Sequence, residues 1–340
     1  VLAAHGRGRR LAMKKFLDDA DTFLEQSLRG FALAHADLVQ LHLNPTFVSR
    51  RALKPAGRVA VISGGGSGHE PLHIGYVGPG MLDAACPGQV FTSPTPDQML
   101  AAAQAVDAGS GVLFIVKNYS GDTMNFQMAS DMLSIEHLTV LVDDDVAVEN
   151  STHTSGRRGV AGTVVVEKIV GAAAEAGADL ADCKRLGDRA NARTASMGVA
   201  FSSCTVPAAG VPTFEIGAGE IEMGVGIHGE PGRRRELIKP ASAIVDELLD
   251  AVLSDLRPAP GQPLLMLVNG LGGTPLMELY LLQQLAARRL ERHGLRMART
   301  RVGNLTTSLE MAGASLTLTM LDEELCSLWD APARTAAFSA

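Results

Sequence analysis

At 340 residues the chain is too long for a small stapled module and fits two packed α/β-sized domains. Its 30 Lys+Arg against 37 Asp+Glu leave a net charge of −7, so no basic field exists to hold nucleic acid or an acidic membrane face. A hydrophobic share of 46% with 20% charged residues excludes a disordered chain, and no apolar run approaches the ~18 residues that span a bilayer.

Residues 1–12 carry arginines but no apolar segment behind them, so they do not read as a secretory signal. Met13, followed by Lys14 and Lys15, looks like a natural start, which makes 1–12 an upstream extension. Glycine is the informative excess, at 36 residues, and it clusters at the ends of apolar runs. Arg58 to Ile62 predicts a buried strand that ends in the loop Ser63-Gly64-Gly65-Gly66-Ser67-Gly68. Pro96 to Asp107 predicts a helix, Gly111 to Val116 a second strand ending in Lys117-Asn118-Tyr119, and Met124 to Leu133 another helix. Leu138 to Val142 predicts a third strand, closed by Asp143-Asp144-Asp145. Strand, loop and helix in alternation is the pattern of a parallel α/β sheet, which gathers ligands at the carboxyl ends of its strands.

Helices follow at Thr163 to Ala176 and Leu180 to Ala190, after which the pattern changes. Strands are expected at Met197 to Phe201, Ile221 to Ile227, Leu264 to Val268, Arg299 to Gly303 and Ser315 to Met320, with helices at Ala241 to Leu253 and Pro275 to Arg292. A boundary near residue 192 divides the chain into an N-terminal domain, 13–191, and a C-terminal domain, 192–340. The expected fold class is therefore α/β, two domains with mixed or mostly parallel sheets flanked by helices. The Pro-rich stretch 258–263 reads as a loop inside the second domain. Four cysteines, Cys86, Cys183, Cys204 and Cys326, lie far apart with no Cys-x-x-Cys pair, which fits a reducing compartment, the cytoplasm.

Five constellations have chemical meaning. Gly66-Ser67-Gly68-His69 lets backbone N–H groups approach a small polar ligand without Cβ obstruction and ends in a titratable ring; a solvated turn is the plain alternative. No Walker lysine is present. Lys117 to Asp122 offers a cation, an amide and a carboxylate at a neighbouring strand end. If those strands are adjacent, Asp122 and His69 face one another as base and orienter; an N-cap with a surface ion pair is the alternative. Gly224-Val225-Gly226-Ile227-His228-Gly229 matches a dinucleotide fingerprint but is followed by Glu230-Pro231-Gly232 where the phosphate-binding helix should begin, so nicotinamide binding is set aside. What remains is His228, a glycine-flanked imidazole that is either a nucleophile or a turn residue. Asp143 to Asp145 fits Mg²⁺ only if its carboxylates converge, which an extended run disfavours, so capping is the expectation. Ser155-Gly156-Arg157-Arg158-Gly159 offers a site for an anion or a partner's acidic face, with a solvated turn as the alternative.

Taken together these loops resemble the substrate-binding subunit of the dihydroxyacetone kinase family. The resemblance runs from SGGGSGHEP at 63–71 through GYVGPGML at 75–82, CPGQVFTSPTPDQ at 86–98, KNYSGDTMNF at 117–126 and VDDDVAVE at 142–149 to GRRGVAGTV at 156–164, CTVPAAG at 204–210, GVGIHGEPG at 224–232 and LWDAP at 328–332. It implies that His228 adds to the ketone carbon of dihydroxyacetone to give a hemiaminal, that His69 is the general base on the terminal hydroxyl with Asp122 assisting, and that Gly66 to His69 and Lys117 bind the substrate. No metal or cofactor is expected on this chain. ATP or ADP with Mg²⁺ is expected on a separate nucleotide-carrying subunit, recharged in many bacteria by a phosphoenolpyruvate-dependent phosphotransferase, and the chain itself is expected to be a homodimer. A kinase subunit for another short ketose such as erythrulose, or a non-catalytic ketone sensor, are the alternatives; a sensor would need His228 but neither His69 nor Asp122.

Overall fold

The computed structural model describes residues 14–151 and 153–340; the extension expected at 1–12 and the start at Met13 lie outside them. Two six-stranded sheets flanked by helices make up the α/β fold. The first contains β1 (Val39–His42), β2 (Phe47–Arg50), β3 (Ala60–Ser67), β4 (Ala84–Val90), β5 (Val112–Lys117) and β6 (His137–Val142), in the order β1-β2-β4-β3-β5-β6. Its β4-β3-β5-β6 block is parallel and the β1-β2 end antiparallel. The side-chain period of two splits the parallel strands between two cores. Ala60, Ile62, Val112, Phe114 and Val116 meet α2 (Pro96–Val106) and α3 (Ser120–Met132), after α1 (Phe23–Ala34) has opened the chain. Val61, Leu113, Ile115, Val140 and Val142 meet α4 (Gly162–Ala176) and α5 (Leu180–Ala192).

The second sheet contains β7 (Thr194–Ala200), β8 (Glu220–Met223), β9 (Arg234–Leu237), β10 (Pro263–Gly270), β11 (Arg296–Gly303) and β12 (Gly313–Met320), ordered β11-β10-β12-β7-β8-β9. Only β10-β11 is parallel. One face packs on α6 (Ala241–Leu256) and α7 (Leu276–Arg292), while Leu265 and Leu267 on the other join the α4 core. α8 (Glu323–Asp330) closes that core with Leu325 and Trp329. α4 is apolar around most of its circumference, as its buried position requires.

Several boundaries differ from the sequence expectation, and the differences matter. The glycine run is not a loop: β3 continues through it to Ser67, because Gly64 to Gly66 keep ladder pairs with β4. α3 begins at Ser120, so Asp122 sits in its first turn. β8 stops at Met223, which leaves His228 in an irregular loop. β4 went unrecognised because Pro87 and Gly88 interrupt it, and β1, β2 and β9 are too short for a period to register.

Candidate active site

β3 and β5 are neighbours, so the Ser67–His69 end and the Lys117–Asp122 end lie side by side at the carboxyl edge of the first sheet. The second sheet closes the site from above. Its β11–β12 loop donates Leu309 N–H to the Gly68 carbonyl at 2.8 Å and Thr307 N–H to the His69 carbonyl at 3.2 Å. Gly68 has φ +101°, a conformation that lets the chain leave β3 and deliver His69 into this clasp. Beside it opens a cavity of about 540 Å³, whose walls include Gly66, Phe91, Tyr119, Asp122, Asn125 and His228.

Two imidazoles from opposite halves of the chain meet in this site. His69 Nε2 lies 3.0 Å from His228 Nε2. The His69 ring is buried, stacked on Phe91 at 4.9 Å, and its Nδ1 is 2.8 Å from the Thr307 carbonyl. A carbonyl only accepts, so Nδ1 carries hydrogen. The His228 Nδ1 is 2.8 Å from the Glu230 carboxylate, whose second oxygen takes the His228 backbone N–H at 3.0 Å. Burial pushes that carboxyl up, but the His228 ring and Arg158 pull harder and it settles at about 2, ionised. His228 Nδ1 therefore carries hydrogen as well. Two neutral rings so arranged would press lone pair against lone pair, and one proton shared between the Nε2 atoms satisfies the 3.0 Å contact. Burial first, then the charges of His228 and Lys117, holds the His69 imidazolium well below the ordinary histidine range. His69 thus gives that proton up readily. His228 keeps 16% of its side-chain surface open, and its ring meets Tyr119 edge-to-face with the centroids 4.6 Å apart.

The other expected site residues divide into two groups. Gly66 and Asp122 line the cavity. Ser67 Oγ is committed to the Gly88 carbonyl at 2.7 Å and the Gly68 N–H to the Glu70 carboxylate at 3.0 Å. Lys117, fully buried, donates to Asp122 Oδ2 at 3.2 Å and to His73 Nε2 at 3.2 Å. Asp122 is thus the partner of Lys117, while the orienter of His69 is the Thr307 carbonyl. Sequence reasoning missed Thr307, Glu230, Phe91, His73 and Glu167. Of these only Glu230 left a readable signal, a carboxylate two residues beyond a glycine-flanked histidine.

The aspartate triplet fans out. Asp143 bonds Asn191, Asp144 takes the N–H groups of Val160 and Gly162 at the start of α4, and Asp145 pairs with Arg158. Among the described residues no group of histidine, cysteine or acidic side chains is arranged to hold a metal ion. Arg157 pairs with Asp255, and Arg158 is buried under the His228 loop, donating to the Gly224 carbonyl at 2.7 Å. Neither arginine forms a free anion site, and Arg158 is no solvated turn residue.

The Dak1 domain family matches residues 29–337. The chain belongs to that family. Among its Dak1 relatives, the dihydroxyacetone-binding subunit DhaK of Listeria innocua PTS-dependent dihydroxyacetone kinase 1 is 50% identical over 315 residues, covering 92% of this chain and 95% of that one. The corresponding subunit of the PEP-dependent kinase of Escherichia coli K12 is 46% identical, covering 96% and 99%. The crystal structure of the C. freundii dihydroxyacetone kinase with AMP-PNP and Mg²⁺ superposes with a TM-score of 0.87 at 35% identity, covering 96% of this chain and 61% of that one. Erythrulose kinases are more distant, at 39 to 42% identity, and this chain spans 56 to 58% of their length. No helix among the described residues is long and apolar enough to cross a membrane.

Proposed function

We propose that this chain is the dihydroxyacetone-binding subunit of a phosphotransferase-dependent dihydroxyacetone kinase, an enzyme that transfers a phosphoryl group to an alcohol. The observation that carries this reading is the His69–His228 pair, with both Nδ1 atoms committed elsewhere and the two Nε2 atoms 3.0 Å apart. His228 Nε2 adds its lone pair to the ketone carbon, and the carbonyl oxygen takes the shared proton to become a hydroxyl. The alkylated ring now carries the positive charge, which the Glu230 carboxylate meets at Nδ1. Glycerol, with hydroxyls but no electrophilic carbon, is rejected by the same chemistry. His69 is left neutral, with a free Nε2 lone pair, and becomes the base for the terminal hydroxyl as it attacks the phosphoryl donor. Lys117 and Asp122 hold the hydroxyl end, with Gly66 in the cavity wall.

Residues 13–191 thus contribute the base and 192–340 the nucleophile. The cavity of about 540 Å³ is far larger than a three-carbon ketone and leaves room for a donor delivered from outside. That donor belongs to a separate subunit carrying ATP or ADP with Mg²⁺, and the chain works as a homodimer. Dihydroxyacetone is preferred over erythrulose because the Listeria and E. coli dihydroxyacetone-binding subunits, similar in length to this chain, are closer to it than the erythrulose kinases are.

Adding carbonyl-labelled dihydroxyacetone to the purified chain is expected to convert the carbonyl carbon signal from sp² to sp³, and His228→Ala to abolish that signal with the fold intact. A bound ketone that stays sp² in the wild type would overturn covalent capture. Turnover is expected only on adding the nucleotide-carrying partner.

A further inference from the structure

Behind Lys117 lies a file of buried polar groups that the mechanism above does not use. Lys117 Nζ donates to His73 Nε2 at 3.2 Å, and His73 Nδ1 lies 2.6 Å from Glu167 Oε1 and 2.9 Å from Ser63 Oγ. All four residues are fully or almost fully buried. Hydrogen counting fixes the direction. Ser63 spends its one hydrogen on the Ile115 carbonyl at 2.7 Å, so toward His73 it accepts. His73 Nδ1 must then be the donor, Nε2 is bare, and the bare nitrogen is what receives Lys117. Moving its hydrogen to Nε2 would set a donor against the ammonium.

The strand above is cut to fit this arrangement. A Cβ on Gly65 would stand 2.2 Å from Lys117 Nζ and 3.3 Å from His73 Nε2, so β3 is bare where the two meet. One oxygen of Glu167, Oε2, is buried without a hydrogen-bond partner among the described residues. An apolar residue of similar length would fill α4 at less cost, so the carboxylate is kept for what Oε1 does.

We propose that Glu167 and His73 are positioning residues for the reaction, fixing the ring tautomer that seats the Lys117 ammonium between His73 and Asp122 at the hydroxyl end of the site. The inference rests on the functional reading given above. Lys117 uses two of its three N–H groups on His73 and Asp122, and the third stays available to a substrate oxygen. The groups facing the pair are Lys117 from β5, Asp122 behind it from α3, Ser63 from β3, and His69 and Tyr76 from the segment after β3. Burial pushes the Glu167 carboxyl well above its ordinary range, against the smaller pull of the Lys117 charge. As the pH falls the pair therefore takes up a proton earlier than an exposed carboxylate, the anchor on His73 Nδ1 weakens, and the seat of Lys117 is lost.

The test has a part that needs no substrate. In ¹⁵N-labelled wild-type chain, the His73 ring is expected to show a protonated Nδ1 and a bare Nε2 at neutral pH; the opposite tautomer overturns the proposal. In the system reconstituted with the partner subunit, Glu167→Gln keeps the side-chain shape and removes the titrating group. The acid limb of turnover is expected to move by about one pH unit to lower pH. His73→Phe is expected to lower kcat by about 10²-fold with KM nearly unchanged, and His73→Gln, whose amide oxygen also accepts from Lys117, to recover part of that loss. The sp³ adduct on His228 should persist in all three variants. An acid limb that does not move, or adduct and turnover falling together with the melting temperature, reduces the pair to a structural contact. Absence of the adduct in the wild type would instead defeat the functional reading, while the ring tautomer still decides the pair.

Discussion

The two halves of the chain each bring a histidine to the same point and treat it in opposite ways. The parallel sheet delivers His69 from the end of a buried strand, with 1% of its surface exposed, and steadies it with a backbone carbonyl from the other half. The mainly antiparallel sheet delivers His228 from a loop beyond a short strand, partly open, and steadies it with a carboxylate two residues away. Burial without a countercharge favours a neutral ring and suits a base. Access with a fixed anion suits a nucleophile, because the positive charge that appears on alkylation is met as it forms.

The sharpest way to break this comparison is to take the anion away. Glu230→Gln preserves length but removes the charge and gives the amide a choice of which end to offer Nδ1. Adduct formation, followed by carbon NMR with labelled ketone, is expected to fall by roughly 10²–10⁴-fold, as for other histidines that lose the carboxylate fixing their tautomer. An adduct formed at the wild-type rate would show that openness alone distinguishes His228.

Phe91 tests the other half. Its ring stacks on His69 with the planes 11° apart and meets His228 edge-on at 5.2 Å, and its backbone has φ 57°, an uncommon conformation for a bulky residue. Phe91→Ala removes an aromatic contact worth about 0.5–1.5 kcal/mol, and turnover in the reconstituted system is expected to fall by roughly 3- to 10-fold, His69 being less well aimed. Phe91→Gly, which relieves the backbone as well, should differ little from Phe91→Ala if the stack is what matters; substantial recovery in the glycine variant would assign the effect to strain.

How far the sequence disclosed this arrangement also follows the division between the halves. In the parallel sheet, runs such as Val112 to Val116 are buried on both faces, so strand, helix and active end are all readable from apolar blocks and the polar residues after them. Even there the glycine run misled, because strand and turn share the same permissive residue and only pairing with β4 distinguishes them. In the second half, β8 and β9 are four residues each, and His228 stood out by its glycine neighbours alone. What could not be read were contacts between distant segments. The Thr307 carbonyl is an anonymous backbone atom 238 residues from the ring it orients, and His73 and Glu167, 94 residues apart, look like ordinary core-facing positions on their own elements.

The smallest expected effect on the chemistry lies where acidic residues are densest, and it separates structural carboxylates from those of the site. Asp144 is fully buried at the start of α4 and accepts from Val160, Gly162 and Ser196. Burial raises its carboxyl to about 6, the three donors opposing. In the unfolded chain an aspartate titrates near 3.9. Between those values the native state binds more protons than the unfolded one, so this group's contribution to stability declines as pH rises from about 4 to 6, by up to about 3 kcal/mol. Asp144→Asn abolishes that slope but leaves the Gly162 N–H facing an amide N–H, an unmet hydrogen bond costing about 1–3 kcal/mol. Thermal melts should therefore show the variant clearly less stable than wild type at pH 5, with the gap narrowing or closing by pH 8, while the His228 adduct forms normally at both. A gap independent of pH would contradict the raised carboxyl. Stabilisation of the wild type by millimolar Mg²⁺, lost in the variant, would restore a metal role to a triplet whose side chains point three different ways.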